Sequence, residues 1–375
     1  MTSTLNTAAI PLEPETLRRL ASQNGPCVTL LIPVRRPGAQ DGARSVVVND
    51  LVRTVSAQLH AHKWGVPPAE LLGPLEEFAG TMNDAGGEGL GVFCAPGFFH
   101  VAVVPGEAAA SAAIANHFNL APLATAVLAP HDFYILGLNR RNLRLLHYAH
   151  GRCEEVPLPA SVPKNEDVFN AFDKPDHELR NRSAAGSSLG SMGNVIFGTT
   201  SDHEDRREYE HHFYLAVDRG LKDTVKDTPL LLAGLHEEAL EFRRAARHCT
   251  LLEAIVEGNP EYMKAPELAP RAAQAAIGHY HALGEAVMAK YREMPDRART
   301  LAGVREVWKV AAAGRVHQLC AAEATEFPGD IHNPHSHEDL INAAIAETLR
   351  NGGDVFMLPK DRLPADSPVT AILRF

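Results

Sequence analysis

From roughly residue 160 to residue 205 the chain carries neither the period of a helix nor that of a strand. Near the end of that stretch sits Arg182-Ser-Ala-Ala-Gly-Ser-Ser-Leu-Gly-Ser-Met-Gly-Asn194. A connection of such length is uncommon inside a compact domain, and where one occurs it is usually functional or a disordered linker. Complete elements must therefore carry it on either side, and this limits the admissible folds. Before it, Phe133–Leu138, Leu143–Tyr148 and Cys153–Leu158 read as three strands of an antiparallel meander, with turns at Asn139–Asn142 and His150–Gly151. After it, Tyr209, Phe213, Ala216, Val217 and Leu221 mark one face of a helix. Pro229–Gly234 is then a short buried strand and Glu237–Ala246 a helix, an alternation that implies a partly parallel sheet.

At 375 residues the chain exceeds the usual size of one hydrophobic core, so two or three domains are expected. Toward the N-terminus, Pro26–Val34 reads as a buried strand. Val48, Leu51, Val52, Val55 and Leu59 recur at helical spacing between Ser45 and about His60, and two strands flank a turn at Ala95–Gly97. Toward the C-terminus, helices are expected over about Glu267–Arg292 and Leu301–Ala313, a strand over Val316–Ala321, and a helix from about Ser336 to Arg350. Gly352-Gly353 stops that helix, and "DVFML" and "VTAILRF" supply closing strands.

Composition narrows function less than it narrows fold. Hydrophobic content of 45% and charged content of 22% are those of an ordinary globular protein. A net charge of −10 argues against a surface coated in basic residues, the simplest footprint of a nucleic-acid binder, but leaves room for a local basic patch. The five cysteines form no C-x-x-C pair, which suits a reducing, cytoplasmic setting. No basic start leads into an apolar run, and no segment holds 18 uninterrupted apolar residues, so neither export nor a membrane span is expected.

Three motifs tempt, and each has a plainer reading. Gly186-Ser-Ser188-Leu-Gly190 fits G-x-S-x-G, but a nucleophile elbow needs a buried strand feeding the turn, and "KPDHELRNRSAA" is polar. His332, His335 and His337 lie close together, yet Ser336 followed by Asp339 resembles a capping box that would leave the histidines in an exposed approach loop. His203, Glu204, Arg207 and His211 fall at helical spacing, as an ion-paired solvated face would. Arginines gather at Arg140, Arg141 and Arg144 in the first hairpin, at Arg180 and Arg182, and at Arg206 and Arg207, where fork-shaped donors would suit phosphate. Asp202, Glu204, Asp205, Glu208 and Glu210 dilute that field.

The order of these elements resembles the bacterial relatives of the archaeo-eukaryotic peptide chain release factors, a set that includes the rescue protein Pelota. The phrases that carry it are "LGVFCAPGFFHVAVVP", "FYILGLNRRNLRLLHY", "HHFYLAVDRGLKD" with "PLLLAG", "AIVEGNPEYM", and "NGGDVFML" with "SPVTAILRF". The resemblance implies an α/β (α+β) protein of three domains. These would be a variable N-terminal α/β domain over 1–127, a ribonuclease-H-like translation-factor domain over 128–262, and over 263–375 an α/β domain similar to kink-turn RNA-binding ribosomal proteins. In the release factors the long middle-domain loop carries Gly-Gly-Gln and promotes hydrolysis of the peptidyl-tRNA ester.

Here the corresponding segment offers Gly186, Ser187, Ser188, Gly190, Ser191, Met192, Gly193 and Asn194 but no Gly-Gly-Gln, and no glutamine occurs between Gln58 and Gln274. Small residues suit close approach to an RNA backbone, because glycine removes bulk and serine keeps hydrogen-bonding capacity. The expectation is a non-catalytic factor of ribosome rescue or hibernation, with no cofactor, no metal, no membrane and no DNA. Its partner would be the bacterial ribosome, through ribosomal RNA at the A site, with a translational GTPase such as elongation factor Tu as a delivery partner. Arg140, Arg141, Arg180, Arg182, Arg206 and Arg207 are the expected phosphate contacts. Two alternatives stay open: a peptidyl-tRNA or RNA hydrolase working through Ser188, Ser191 or a loop-held water, and a protein or small-ligand interaction module that retains only the fold.

Overall fold

The computed structural model describes residues 9–33, 43–61, 64–81, 89–105, 109–149, 151–166, 169, 201–294, 299–323 and 337–375. The chain divides into two compact units, one of residues 1–131 with 277–375 and one of residues 132–276.

The first part of the larger unit runs β1 (Ile10–Pro11), α1 (Pro14–Ala21), β2 (Cys27–Ile32), α2 (Ala43–Ala61), α3 (Pro68–Thr81), β3 (Gly89–Ala95), β4 (Phe98–Val104), β5 (Ser111–Ala115) and α4 (Ala121–Leu128). Its five strands pair in the order β1-β4-β3-β2-β5, antiparallel except for the short β1 against β4. Side chains alternate across a strand, so β2 serves two cores at once. Val28, Leu30 and Ile32 pack with Val48, Val52 and Val55 of α2 and Leu71, Leu75 and Phe78 of α3. Cys27 and Leu31 join α1 and α4 on the other face. The expected strand at 26–34, the helix from Ser45 and the hairpin around Ala95–Gly97 are all present, and Gly97 supplies the positive φ of +71° that the turn requires.

The smaller unit contains β6 (Asp132–Gly137), β7 (Arg144–Ala149), β8 (Arg152–Val156), α5 (Ser201–Val225), β9 (Leu230–Gly234), α6 (His236–Ala245) and β10 (Leu251–Glu257), and takes in the start of α7 (Ala265–Glu293). The sheet order is β10-β9-β6-β7-β8, with β6, β9 and β10 parallel and the meander β6-β7-β8 antiparallel. Leu136, Leu230 and Leu232 face Phe213, Val217 and Leu221 of α5 and Phe242 of α6. Phe133, Ile135, Leu231 and Ala233 face Leu268, Ala272 and Ala276 of α7. The sheet is therefore covered on both sides, which explains the continuous apolar run "LLLAG" in β9.

The chain closes through β11 (Thr300–Ala302), α8 (Val304–Ala312), β12 (Val316–Ala322), α9 (His337–Arg350), β13 (Asp354–Leu358) and β14 (Val369–Leu373), the four strands lying in the order β11-β14-β12-β13. The helix expected from Leu301 begins at Val304 instead. Thr300–Ala302 pairs antiparallel with β14, and Gly303, at φ +100°, turns the chain from strand to helix. Residues 9–131 and 277–375 form one unit because they share a core. Leu17, Leu20, Phe118 and Leu123 pack in the same cluster as Leu319, Ile345, Leu349 and Met357. Among the described residues, no helix is long and apolar enough to cross a membrane.

Candidate functional site at the carboxyl end of the smaller sheet

Strands β6, β9 and β10 all run toward one edge of their sheet, the end at which open α/β sheets commonly bind ligands. The turn after β6 carries Arg140 there, and α6 presents Glu238 in its first turn, just past the end of β9. α5 runs back over the sheet and brings Glu210 to the same edge, so residues far apart in sequence converge on one guanidinium.

Arg140 Nη1 is hydrogen-bonded and ion-paired with Glu210 Oε1, and Arg140 Nε lies 3.4 Å from Glu238 Oε1. The Arg140 carbonyl accepts a hydrogen bond from the Glu166 amide at 2.9 Å. Burial opposes the charge on Arg140, but Glu210, with Tyr214, Glu166 and Glu238 behind it, more than offsets that cost and raises the guanidinium pKa. Burial also lifts the Glu238 carboxyl above its usual range against the pull of Arg140, with Glu210 and Glu166 adding to the rise. Below the cluster Tyr214 is 1% exposed, and its hydroxyl has no hydrogen-bond partner among the described residues. Its pKa is raised, chiefly by burial.

A second construction stands beside the first. Arg144, at the start of β7, donates from Nη1 to the carbonyls of Pro260 at 2.6 Å and Met263 at 2.9 Å, while its Nε and Nη2 reach Glu155 at 3.1 and 3.0 Å. That forked pair lowers the Glu155 pKa, first through the hydrogen bond from Arg144. Asn139 Nδ2 donates to Glu261 at 3.2 Å, and the Asn259 side chain accepts from the Glu261 amide at 3.0 Å. The turn after β10 is thus held by several residues, with Tyr262 78% exposed on it.

Of the residues singled out in the sequence, Arg140 and Arg141 adjoin at the hairpin tip. Arg141 is exposed, whereas Arg140 is half-buried among carboxylates that a phosphate would have to displace. Arg206 and Arg207 lie in α5, their side chains outside the described residues. Arg180, Arg182, Gly186, Ser187, Ser188, Gly190, Ser191, Met192, Gly193 and Asn194 lie outside the described residues, as do His332 and His335 and the side chains of His203 and His337. Sequence reasoning did not find Glu166, Glu210 and Glu238 as partners of Arg140. The available signal was Glu238 in the first turn of a helix directly after a buried parallel strand.

Residues 132–315 match the family described as bacterial archaeo-eukaryotic release factor family 3. Through that region, just under half of its length, the chain is similar to the bacterial archaeo-eukaryotic release factors. Among solved structures, it is similar to the archaeal translation termination factor aRF1, at 14% identity and a TM-score of 0.26, covering 98% of this chain and 99% of that one. Similarity to Archaeoglobus fulgidus Pelota is at 14% identity and a TM-score of 0.34, covering 98% and 93%. Similarity to S. cerevisiae Dom34 is at 12% identity and a TM-score of 0.37, covering 78% and 74%. No curated protein matches the chain.

Proposed function

We propose that the protein is a ribosome-associated factor that occupies the A site of stalled or resting ribosomes without releasing the nascent chain. The observation that carries this reading is the coincidence of the family match over residues 132–315 with a segment that lacks Gly-Gly-Gln at the place where the family's loop belongs. The sheet order β10-β9-β6-β7-β8, with a helix between β9 and β10, supports a ribonuclease-H-like middle domain. The C-terminal residues would form the kink-turn-type α/β domain, and the setting would be cytoplasmic. A translational GTPase such as elongation factor Tu would be the delivery partner. Arg141, Arg180, Arg182, Arg206 and Arg207 are the proposed phosphate contacts, and Gly186–Asn194 supply backbone and serine hydroxyl contacts in close quarters.

Two assays on ribosomes loaded with peptidyl-tRNA test this reading. Release of peptide above the uncatalysed rate would replace it with the hydrolase alternative. Binding of the variant carrying Arg182→Ala and Arg206→Ala should weaken, and the dependence of log K on log salt should become shallower by about one unit for each phosphate that is no longer neutralised. Unchanged binding would remove those two residues from the RNA-facing surface.

A further inference from the structure

The hairpin-tip arginines are adjacent in sequence and differ in surroundings. Arg140 is spent on internal partners that come from both sides of the segment spanning residues 170–200. On the preceding side, the Arg140 carbonyl accepts from the Glu166 amide at 2.9 Å, and the Leu143 amide donates to the Lys164 carbonyl at 3.4 Å. On the following side, the guanidinium pairs with Glu210 of α5 and approaches Glu238 of α6 through a different nitrogen. The planar fork of arginine can engage two carboxylates in different directions, which a lysine ammonium cannot do with the same geometry. The two sides also meet directly, because the rings of Phe169 and Phe213 pack edge to face with centroids 5.8 Å apart.

We infer that Arg140 is a positioning residue that ties together the described residues on either side of the 170–200 segment, residues 164–166 with Phe169 and the first half of α5, and that its charge is not available to RNA phosphate. The guanidinium already pairs with Glu210 and faces Glu238, so an incoming phosphate would have to displace those carboxylates to reach it. Arg141 beside it is exposed. The part of this inference that concerns phosphate rests on the proposed ribosome binding. The part that concerns the two flanking stretches does not.

The test uses the full chain and three proteins: wild type, Arg140→Gln and Glu210→Gln. Hydrogen exchange followed by mass spectrometry should show amides over 160–166 and 208–213 exchanging roughly tenfold faster in both variants, while those of β9 at 230–234 keep their wild-type rate. A general loss of stability would accelerate β9 as well, so that pattern, or unchanged flanking stretches in both variants, overturns the inference. If Arg140→Gln does not fold, Glu210→Gln alone decides on the same criterion. With ribosomes, Arg140→Gln should leave the salt slope of binding unchanged, and a slope shallower by about one would make Arg140 a phosphate contact instead. Should the wild type fail to bind ribosomes, the proposed function falls while the exchange result still decides the role of Arg140.

Discussion

Asn342 caps a helix that begins 221 residues before it: its Oδ1 accepts from the Leu120 amide at 2.9 Å and from the Ala121 amide at 3.3 Å. The same side chain donates from Nδ2 to the Phe118 carbonyl at 2.9 Å and is 6% exposed. Helix α4 begins at Ala121 with no cap from its own residues, so the first backbone donors of the helix find their acceptor on α9. This polar plug lies inside the shared core of the larger unit. It fixes how the early and late parts of that unit meet.

Replacing Asn342 with Ala leaves three buried backbone groups without partners and should destabilise the larger unit by about 2–4 kcal/mol. Both tryptophans, Trp64 and Trp308, lie in that unit, so fluorescence followed through a urea titration reports its transition. A midpoint equal to wild type would show that the plug adds nothing.

In the smaller unit Asp218, 1% exposed, accepts from three successive backbone amides, those of Arg247 at 2.8 Å, His248 at 2.9 Å and Cys249 at 3.0 Å. Asp218→Ala should cost about 3 kcal/mol or more, because those donors would be stranded. The earliest sign should be faster hydrogen exchange over 245–251, the link between α6 and β10.

Two helical glycines should respond in opposite directions. A Cβ on Gly220 of α5 would lie 2.6 Å from the Ser161 carbonyl oxygen, so Gly220→Ala should cost about 1–3 kcal/mol and push the 159–162 turn off the helix. Gly278 of α7 has open space around it, and Gly278→Ala should stabilise the helix by about 0.5–1 kcal/mol. Thermal unfolding of the two variants beside wild type checks both signs.

His117 lies 3.4 Å from Glu347, and burial lowers its pKa below the ordinary 6.5 despite the pull of that carboxylate. Below pH 6.5 the unfolded chain therefore binds a proton that the folded chain resists, and stability falls as pH drops toward the folded pKa. The slope of stability against pH between about 6.5 and 5 should be smaller in His117→Gln, as measured by denaturant unfolding at several pH values.

All five cysteines carry thiols raised by burial, Cys153 to about 11 and Cys27, Cys94, Cys249 and Cys320 to about 12. At pH 8 the thiolate fraction of the latter four is on the order of 10⁻⁴, so the native protein should react with a disulfide reagent far more slowly than the urea-unfolded chain.

The elements that were legible in the sequence are those whose burial is one-sided or complete. The strands β6 and β7, the buried β9 and the amphipathic face of α5 carry the apolar periods that their burial requires. β5 was hidden because "SAAIA" consists of small residues with one branched side chain, and β1 because it is a two-residue bridge to β4. α3 contains Pro74 and α4 is apolar nearly all round, so neither displays a clean helical stripe. Of the cluster around Arg140, the sequence showed only Arg140 itself in the hairpin turn and Glu210 among the acidic residues after the long segment. The partners Glu166, Glu210 and Glu238 come from separate elements, and only the folded sheet brings them to one edge.

Co-sedimentation with bacterial 70S ribosomes on sucrose gradients, at low and moderate salt, decides whether the protein is a ribosome-bound factor, using the intact chain and a deletion of residues 184–193. The intact chain should travel with 70S particles, and salt or the deletion should weaken this association. Absence of the intact chain from every ribosomal fraction would contradict it and leave a release-factor-like fold that serves another partner.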